Sequence, residues 1–284
     1  MTDSAPSNPW PSRSRDDLRG ALVGVVHLAP LPGSPGHAAV TFDGQRGMEA
    51  VLAQAVTDAR VLAAAGYDGV IVENFGDTPF YGASVPSETV AGLALATAAV
   101  RDAVGDTPVG VNVLRNDVRA GIGLAATCGA SFVRANVFTG AMVTDQGVLE
   151  GRAAEWVRER DRLAPDVRLL ADVHVKHAMP LGGGDLVQSA RDTFGRGGAD
   201  GLILSGSGTG AGTDLGELAR VREALPDAPL WIGSGLTPET ATETLALADA
   251  AIVGTWIKRD GDVRAPVDPD RALRMIEAVR SAAR

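Results

Sequence analysis

From Ala21 onward, short β-branched runs alternate with longer Ala-, Leu- and Arg-rich stretches whose apolar residues recur at helical spacing. Eight such units fit the chain, with predicted strands at 21–28, 69–74, 109–114, 132–138, 168–176, 201–206, 229–235 and 250–258. The segments AAGYDGVIVE, ATCGASFVRA and GRGGADGLILS repeat one plan: a helix ends on glycine, one or two polar residues follow, and a strand begins. Helix-to-strand connections are therefore short. Strand-to-helix connections, at 29–46, 75–86, 139–150, 177–184 and 207–213, are long and rich in Gly, Pro, Thr and Asp. Elaboration on one side of eight alternating units predicts a (β/α)8 TIM barrel, a single α/β domain over 18–284, with its site in the loops after the strands. A doubly wound open sheet is the competing topology.

Several predicted strands carry polar residues with a period of two. Glu73 alternates with Val70 and Val72, Asn112 with Val111 and Val113, and Arg134 and Asn136 with Val133, Ala135 and Val137. In the fifth, Asp172, His174 and Lys176 alternate with Ala171, Val173 and Val175. The apolar register suits the helix layer and the polar register the barrel interior, so these seven polar residues should converge near the strand ends. Buried charges persist only when paired with each other or with a ligand, so the set reads as an internal register-fixing network or as a functional cluster. His27 ends the first strand, with an ordinary pKa suited to proton transfer; His37 and His177 lie in loops and rank below it. The expected catalytic residues are His27, Glu73, Asp172, His174 and Lys176, with Asn112, Arg134 and Asn136 on the substrate.

The stretch LWIGSGLTPET compresses a strand, a glycine turn and a helix start into eleven residues. Gly233, Ser234 and Gly235 allow an anion close to backbone N–H groups, and Thr237 reads as an N-cap with Pro238 at the first helical position. Gly254 and Thr255 after the eighth strand complete a phosphate cup of the kind this fold builds there. Ser205 and Gly206 open a third glycine loop, SGSGTGAGTD, expected to cap the ligand or move as a lid.

Composition narrows the partners. A formal charge of -9 with no basic run opposes nucleic acid and anionic lipid. The longest apolar stretch, Val90 to Val100, is too short to cross a bilayer, so a cytoplasmic chain without membrane insertion is expected. Residues 1–17, rich in Pro and Ser, read as a disordered leader, and the single cysteine, Cys128, reads as packing. His27, Glu73, Asp172 and His174 could supply Zn²⁺ or Mn²⁺ donors, but Arg134 and Lys176 would repel a cation and no HxH or HxxxH spacing occurs; no metal or cofactor is expected.

The segments VGVVHLAPLPGSPG, VIVENFGDTPF, GVNVLRND, FVRANVFTG and LLADVHVKHA together resemble the BtpA/SgcQ family, from about Ala21 to the C-terminus. The resemblance implies a TIM barrel of the phosphate-binding type. Its cyanobacterial branch implies a factor for photosystem I biogenesis or stability, and its enteric branch, encoded among sugar uptake genes, implies metabolism; no catalytic residues carry over. Two expectations follow. The first is a homo-oligomeric enzyme performing isomerase or lyase chemistry on a small phosphorylated sugar or nucleoside, with Lys176 as a narrower Schiff-base option. The second is a non-catalytic assembly factor with an exposed apolar docking patch. A ligand sensor would differ from the enzyme only in lacking turnover.

Overall fold

The computed structural model describes residues 10–12, 14–206 and 212–283. Eight parallel strands close into a barrel: β1 (Ala21–His27), β2 (Gly69–Glu73), β3 (Val109–Asn112), β4 (Phe132–Ala135), β5 (Arg168–Asp172), β6 (Gly201–Leu204), β7 (Leu230–Ile232) and β8 (Ala250–Val253), each beside its sequence neighbours and β8 beside β1. Closure excludes the open sheet. Helices follow each strand: α1 (Gly47–Ala64), α2 (Ser87–Val104), α3 (Val118–Cys128), α4 (Ala153–Leu163), α5 (Leu186–Arg191), α6 (Leu215–Ala224), α7 (Ala241–Leu245) and α8 (Pro269–Ala282). Among the described residues, no helix is long and apolar enough to cross a membrane.

The strands stop earlier than the apolar pattern suggests. β5 ends at Asp172 rather than Lys176, and β8 at Val253 rather than Lys258. Val173, Val175 and Ile257 are at most 3% exposed, so loop residues folded under the mouth keep the hydrophobicity of a strand without its pairing.

The two registers sort as the alternation requires. Val70, Val72, Val111, Val133, Ala135, Leu169 and Ala171 pack outward with the helices, whereas Val23, Val25, Ile71, Phe132, Leu170, Ile203, Trp231 and Ile252 fill the interior. Gly110 is needed beside Phe132, whose ring occupies the space a Cβ would take. Below them Trp10 meets Phe132 and Trp231 edge-on at 5.7 and 6.2 Å, and Leu18 is fully buried. The segment expected to be a disordered leader thus differs from Trp10 onward, where residues 10–12 and 14–17 are placed against the N-terminal end of the barrel. A large aromatic ring among prolines can leave water only by plugging an apolar opening.

The aspartate just before three of the strands has a definite task. Asp68, Asp200 and Asp249 each stand just before a strand and accept, at 2.8 Å, the N–H of Leu22, Leu169 and Leu230 on a neighbouring strand. Arg280, Arg160 and Arg222 then reach the same three carboxylates. Charge-assisted bonds of this kind are each worth roughly 1.5–3 kcal/mol and fix strand register from below. Cys128 is buried in the helix layer, as its context predicts. The proposed lid falls largely on residues 207–211, outside the described residues.

Candidate active site

At the upper end of the barrel the inward register turns polar. Arg134 donates from Nε and Nη2 to the two oxygens of Asp172, both at 2.8 Å, with side chains only 3% and 0% exposed. Asn136 adds a third donor at 3.0 Å and the Ser205 hydroxyl a fourth at 3.4 Å. Four donors thus converge on the Asp172 carboxylate, which anchors Arg134. Glu73 is held differently. Asn112 donates to its Oε2 at 2.5 Å, while Oε1 lies 3.7 Å from His27 Nε2.

The His27 ring stacks against Phe75 at 4.6 Å. Burial, followed by the nearby charges of Lys258 and Lys176, holds its pKa well below the usual histidine range, against a weaker opposing contribution from the Val263 backbone. A neutral imidazole beside a carboxylate is suited to accept and return a proton. Lys258 itself is fully buried and paired with Asp58 at 2.8 Å, which ties the loop after β8 to α1.

His27, Glu73, Arg134 and Lys176 line one cavity of about 160 Å³ together with Gly233, Ser234, Gly235, Gly254 and Thr255. Its glycines are spatial necessities: a Cβ on Gly254 would lie 2.8 Å from His27 Cε1, and one on Gly233 would lie 2.5 Å from Ile203 Cγ2 and 3.0 Å from Arg134 Nη2. Gly233 N–H is spent on Leu204 O, but among the described residues the N–H groups of Ser234, Gly235 and Leu236 meet no acceptor. The buried Ser234 hydroxyl likewise has no partner. Ser234, Gly235 and Leu236, whose amides are unpaired, thus line this cavity together with Arg271 of α8.

Three expectations need correction. Thr237 is not an N-cap: α7 begins at Ala241, and Thr237 and Pro238 belong to a turn in which Thr237 N–H donates to Thr240 Oγ1 at 3.1 Å. The anion end consequently relies on the turn's own amides, with no long helix behind it. His174 does not join Glu73. Its φ of 52° breaks the strand alternation just after Asp172, and its Nε2 pairs with Ser189 Oγ at 2.9 Å in a separate cavity of about 150 Å³. Ser205 and Gly206 do not line the cavity of the turn, Ser205 serving Asp172 from behind. Lys176 arrives from a loop rather than a strand, with a pKa lowered by burial and then by Arg134. Asn112 and Asn136 line an adjoining cavity of about 300 Å³ that shares Glu73, Arg134 and Lys176.

Sequence reasoning missed Arg115 and Arg271. Arg115 is 5% exposed and donates to Lys176 O at 2.6 Å; Arg271 donates to Trp256 O at 2.5 Å and lies 4.5 Å over the Trp256 ring. Arg115 follows a polar strand end, a usable signal, whereas Arg271 sits among ordinary helix-surface arginines. Other motif residues hold loops together. Asn74 exchanges bonds with Leu114, Asp77 and Asn116 accept the N–H groups of Leu31 and Val137, and Asp117 caps α3. Among the described residues, no group of three His, Cys, Asp or Glu side chains could hold a metal.

The BtpA family model matches residues 19–281. The chain belongs to the BtpA family. Its relatives include the photosystem I biogenesis protein BtpA of Synechocystis, 42% identical over 91% of this chain and 87% of that protein. The putative sgc region protein SgcQ of Escherichia coli is 34% identical over 91% of this chain and 94% of that one. Among solved structures, phosphoribosyl anthranilate isomerase of Thermus thermophilus superposes on this BtpA-family chain with a TM-score of 0.57 at 13% identity, covering 92% and 98% of the two chains. That likeness bears on the barrel alone.

Proposed function

We propose that this barrel is an enzyme acting on a small phosphorylated carbonyl metabolite, such as a sugar phosphate, by acid/base isomerase or lyase chemistry. One observation carries the reading: Ser234, Gly235 and Leu236, with their free amides, and the side chains of His27, Glu73 and Lys176 border a single cavity of about 160 Å³. The phosphate is placed on the turn with Gly254, Thr255 and Arg271, and the carbonyl end toward Glu73. Neutral His27 and Glu73 move the proton, while Lys176 and the anchored Arg134 stabilise the developing enolate oxygen. Positioned general acid/base groups contribute roughly 10²–10⁴ in rate.

The test is deuterium exchange. Phosphorylated aldoses and ketoses incubated with the protein in D₂O should acquire deuterium next to the carbonyl, followed by NMR, and Glu73→Gln should slow exchange by about 10²-fold or more. Exchange that persists unchanged in Glu73→Gln and in His27→Gln would remove the chemistry. A Schiff base is a separable variant, read by borohydride trapping at Lys176.

A second reading, an assembly factor, is favoured by a different surface. Strands at Ala141–Thr144, Gly147–Glu150 and Ala178–Pro180 form a small sheet above the mouth, in which Val143 stands opposite both Val148 and Met179. These side chains are 44%, 53% and 73% exposed, and Leu181 beside them is 57% exposed. If docking on this sheet were the whole function, Val143→Lys with Met179→Lys would abolish it while Glu73→Gln left it intact. The proposed homo-oligomer has the same candidate face.

A further inference from the structure

The mouth holds more positive charge than one phosphate explains. Once Arg134 is set against Asp172, the cavity of the turn and its neighbour of about 300 Å³ are lined by Lys176, Arg115, Arg264 and Arg271, and among the described residues Glu73 is the only carboxylate lining either. This occurs in a chain with a formal charge of -9.

Arg115 is the telling residue. At 5% exposure its guanidinium would ordinarily be expected beside a carboxylate, yet its hydrogen bond goes to the Lys176 carbonyl, and among the described residues neither Arg115 nor Lys176 has a carboxylate within ion-pair distance. Holding that carbonyl employs one of five guanidinium donors, a task a neutral amide would perform without the cost of burying a cation. Arg115 weakly disfavours the charged form of Lys176, while Asp172, Asp145 and Glu73 favour that of Arg115 only from beyond ion-pair distance. Phe75 and Phe80 border the cavity and lower its dielectric, which raises the cost of leaving the charges unmatched.

We propose that Arg115, Lys176 and Arg264 form a second anion subsite, so that the substrate carries a carboxylate or a second phosphate at the end opposite the phosphate bound by the Gly233–Gly235 turn. The inference rests on the phosphate reading above and narrows it from sugar phosphates at large to those with a second anionic group. A guanidinium fork is the group best matched to a planar carboxylate or to phosphate oxygens. Lys176 lies between the two ends, bordering both cavities.

The test is calorimetric titration of the whole chain at fixed ionic strength with matched probes: glucose 6-phosphate against 6-phosphogluconate, and ribose 5-phosphate against ribulose 1,5-bisphosphate. The member with two anionic groups in at least one pair should bind about tenfold tighter or better, a difference of about 1.4 kcal/mol, and which pair responds tells a carboxylate from a phosphate. Arg115→Gln should erase the preference while leaving single-phosphate affinity near its original value, and Arg115→Lys should keep part of it. Arg264→Gln, at an exposed position, should narrow the preference even if Arg115→Gln fails to fold. Equal affinities within both pairs, with the monophosphates still binding, would overturn the second subsite and leave the phosphate turn standing. No binding of any probe at millimolar concentration would count against both.

Discussion

At the N-terminal end of the barrel the inward positions are Ala21, Phe132, Trp231 and Ala250, capped by Trp10 and Leu18; further along the same strands they become His27, Glu73, Arg134, Asp172 and Gly254. One pleat serves both ends. Below, aromatic rings meet glycines and water is excluded, so burial alone stabilises the contact. Above, Arg134, Asp172 and Glu73 are held by specific partners, the Asn112 Oδ1, Asn136 Oδ1 and Ser234 Oγ atoms are buried without one, and the space left by Gly233 and Gly254 is kept open. The lower half sets the geometry, and the upper half uses it. Mutations at the two ends should therefore separate stability from binding.

The largest expected effect is at the bottom. Phe132→Ala empties a fully buried site and should cost about 3–5 kcal/mol in urea unfolding, with ligand affinity of the folded protein unchanged. Asp172→Asn comes next, because it leaves Arg134 charged and buried beside a neutral amide. A loss of about 3 kcal/mol is expected, and Arg134→Met in the same chain should recover much of it. Additive losses in that pair would mean that the two side chains do not form the closed unit described. Gly254→Ala should do the opposite of Phe132→Ala, displacing the His27 ring and weakening phosphate binding by about tenfold or more while changing stability little.

The smallest effect is a pH dependence. The folded state holds His27 neutral, and the unfolded chain protonates it near its ordinary pKa of 6.5. Below that pH the unfolded state binds the extra proton, so stability falls on acidification until the lowered native pKa is reached and is unaffected above neutrality. His27→Gln should shallow this acid limb of the stability curve by at most about 1.4 kcal/mol per pH unit. An unchanged limb would show that burial does not lower the His27 pKa in the native state.

Much of this division was legible before any coordinates. The eight-unit alternation, the polar register at Glu73, Asn112, Arg134 and Asp172, and the glycine turn at 233–235 depend on periodicity and backbone chemistry that act locally. Failures came where tertiary structure overrode a local rule. His174 keeps the spacing of a strand residue but adopts a left-handed backbone that turns it toward Ser189. Thr237-Pro238 has the composition of a helix start, yet the helix waits until Ala241. Trp10 was hidden in a Pro- and Ser-rich segment whose composition resembles disorder, though one large aromatic ring there was a visible clue. Arg271 gave no local sign at all, since its meaning comes from the packing of α8 against the loop that carries Trp256.

The central claim is that an oxyanion binds the amides of the Gly233–Gly235 turn, facing Glu73 and His27. Crystals soaked in tungstate, a heavy tetrahedral dianion, test it through anomalous scattering. The account predicts a peak within hydrogen-bonding distance of the Ser234 and Gly235 N–H groups and the Ser234 hydroxyl, and its loss in Gly254→Ala. A peak elsewhere, with the turn empty at saturating anion, would contradict it.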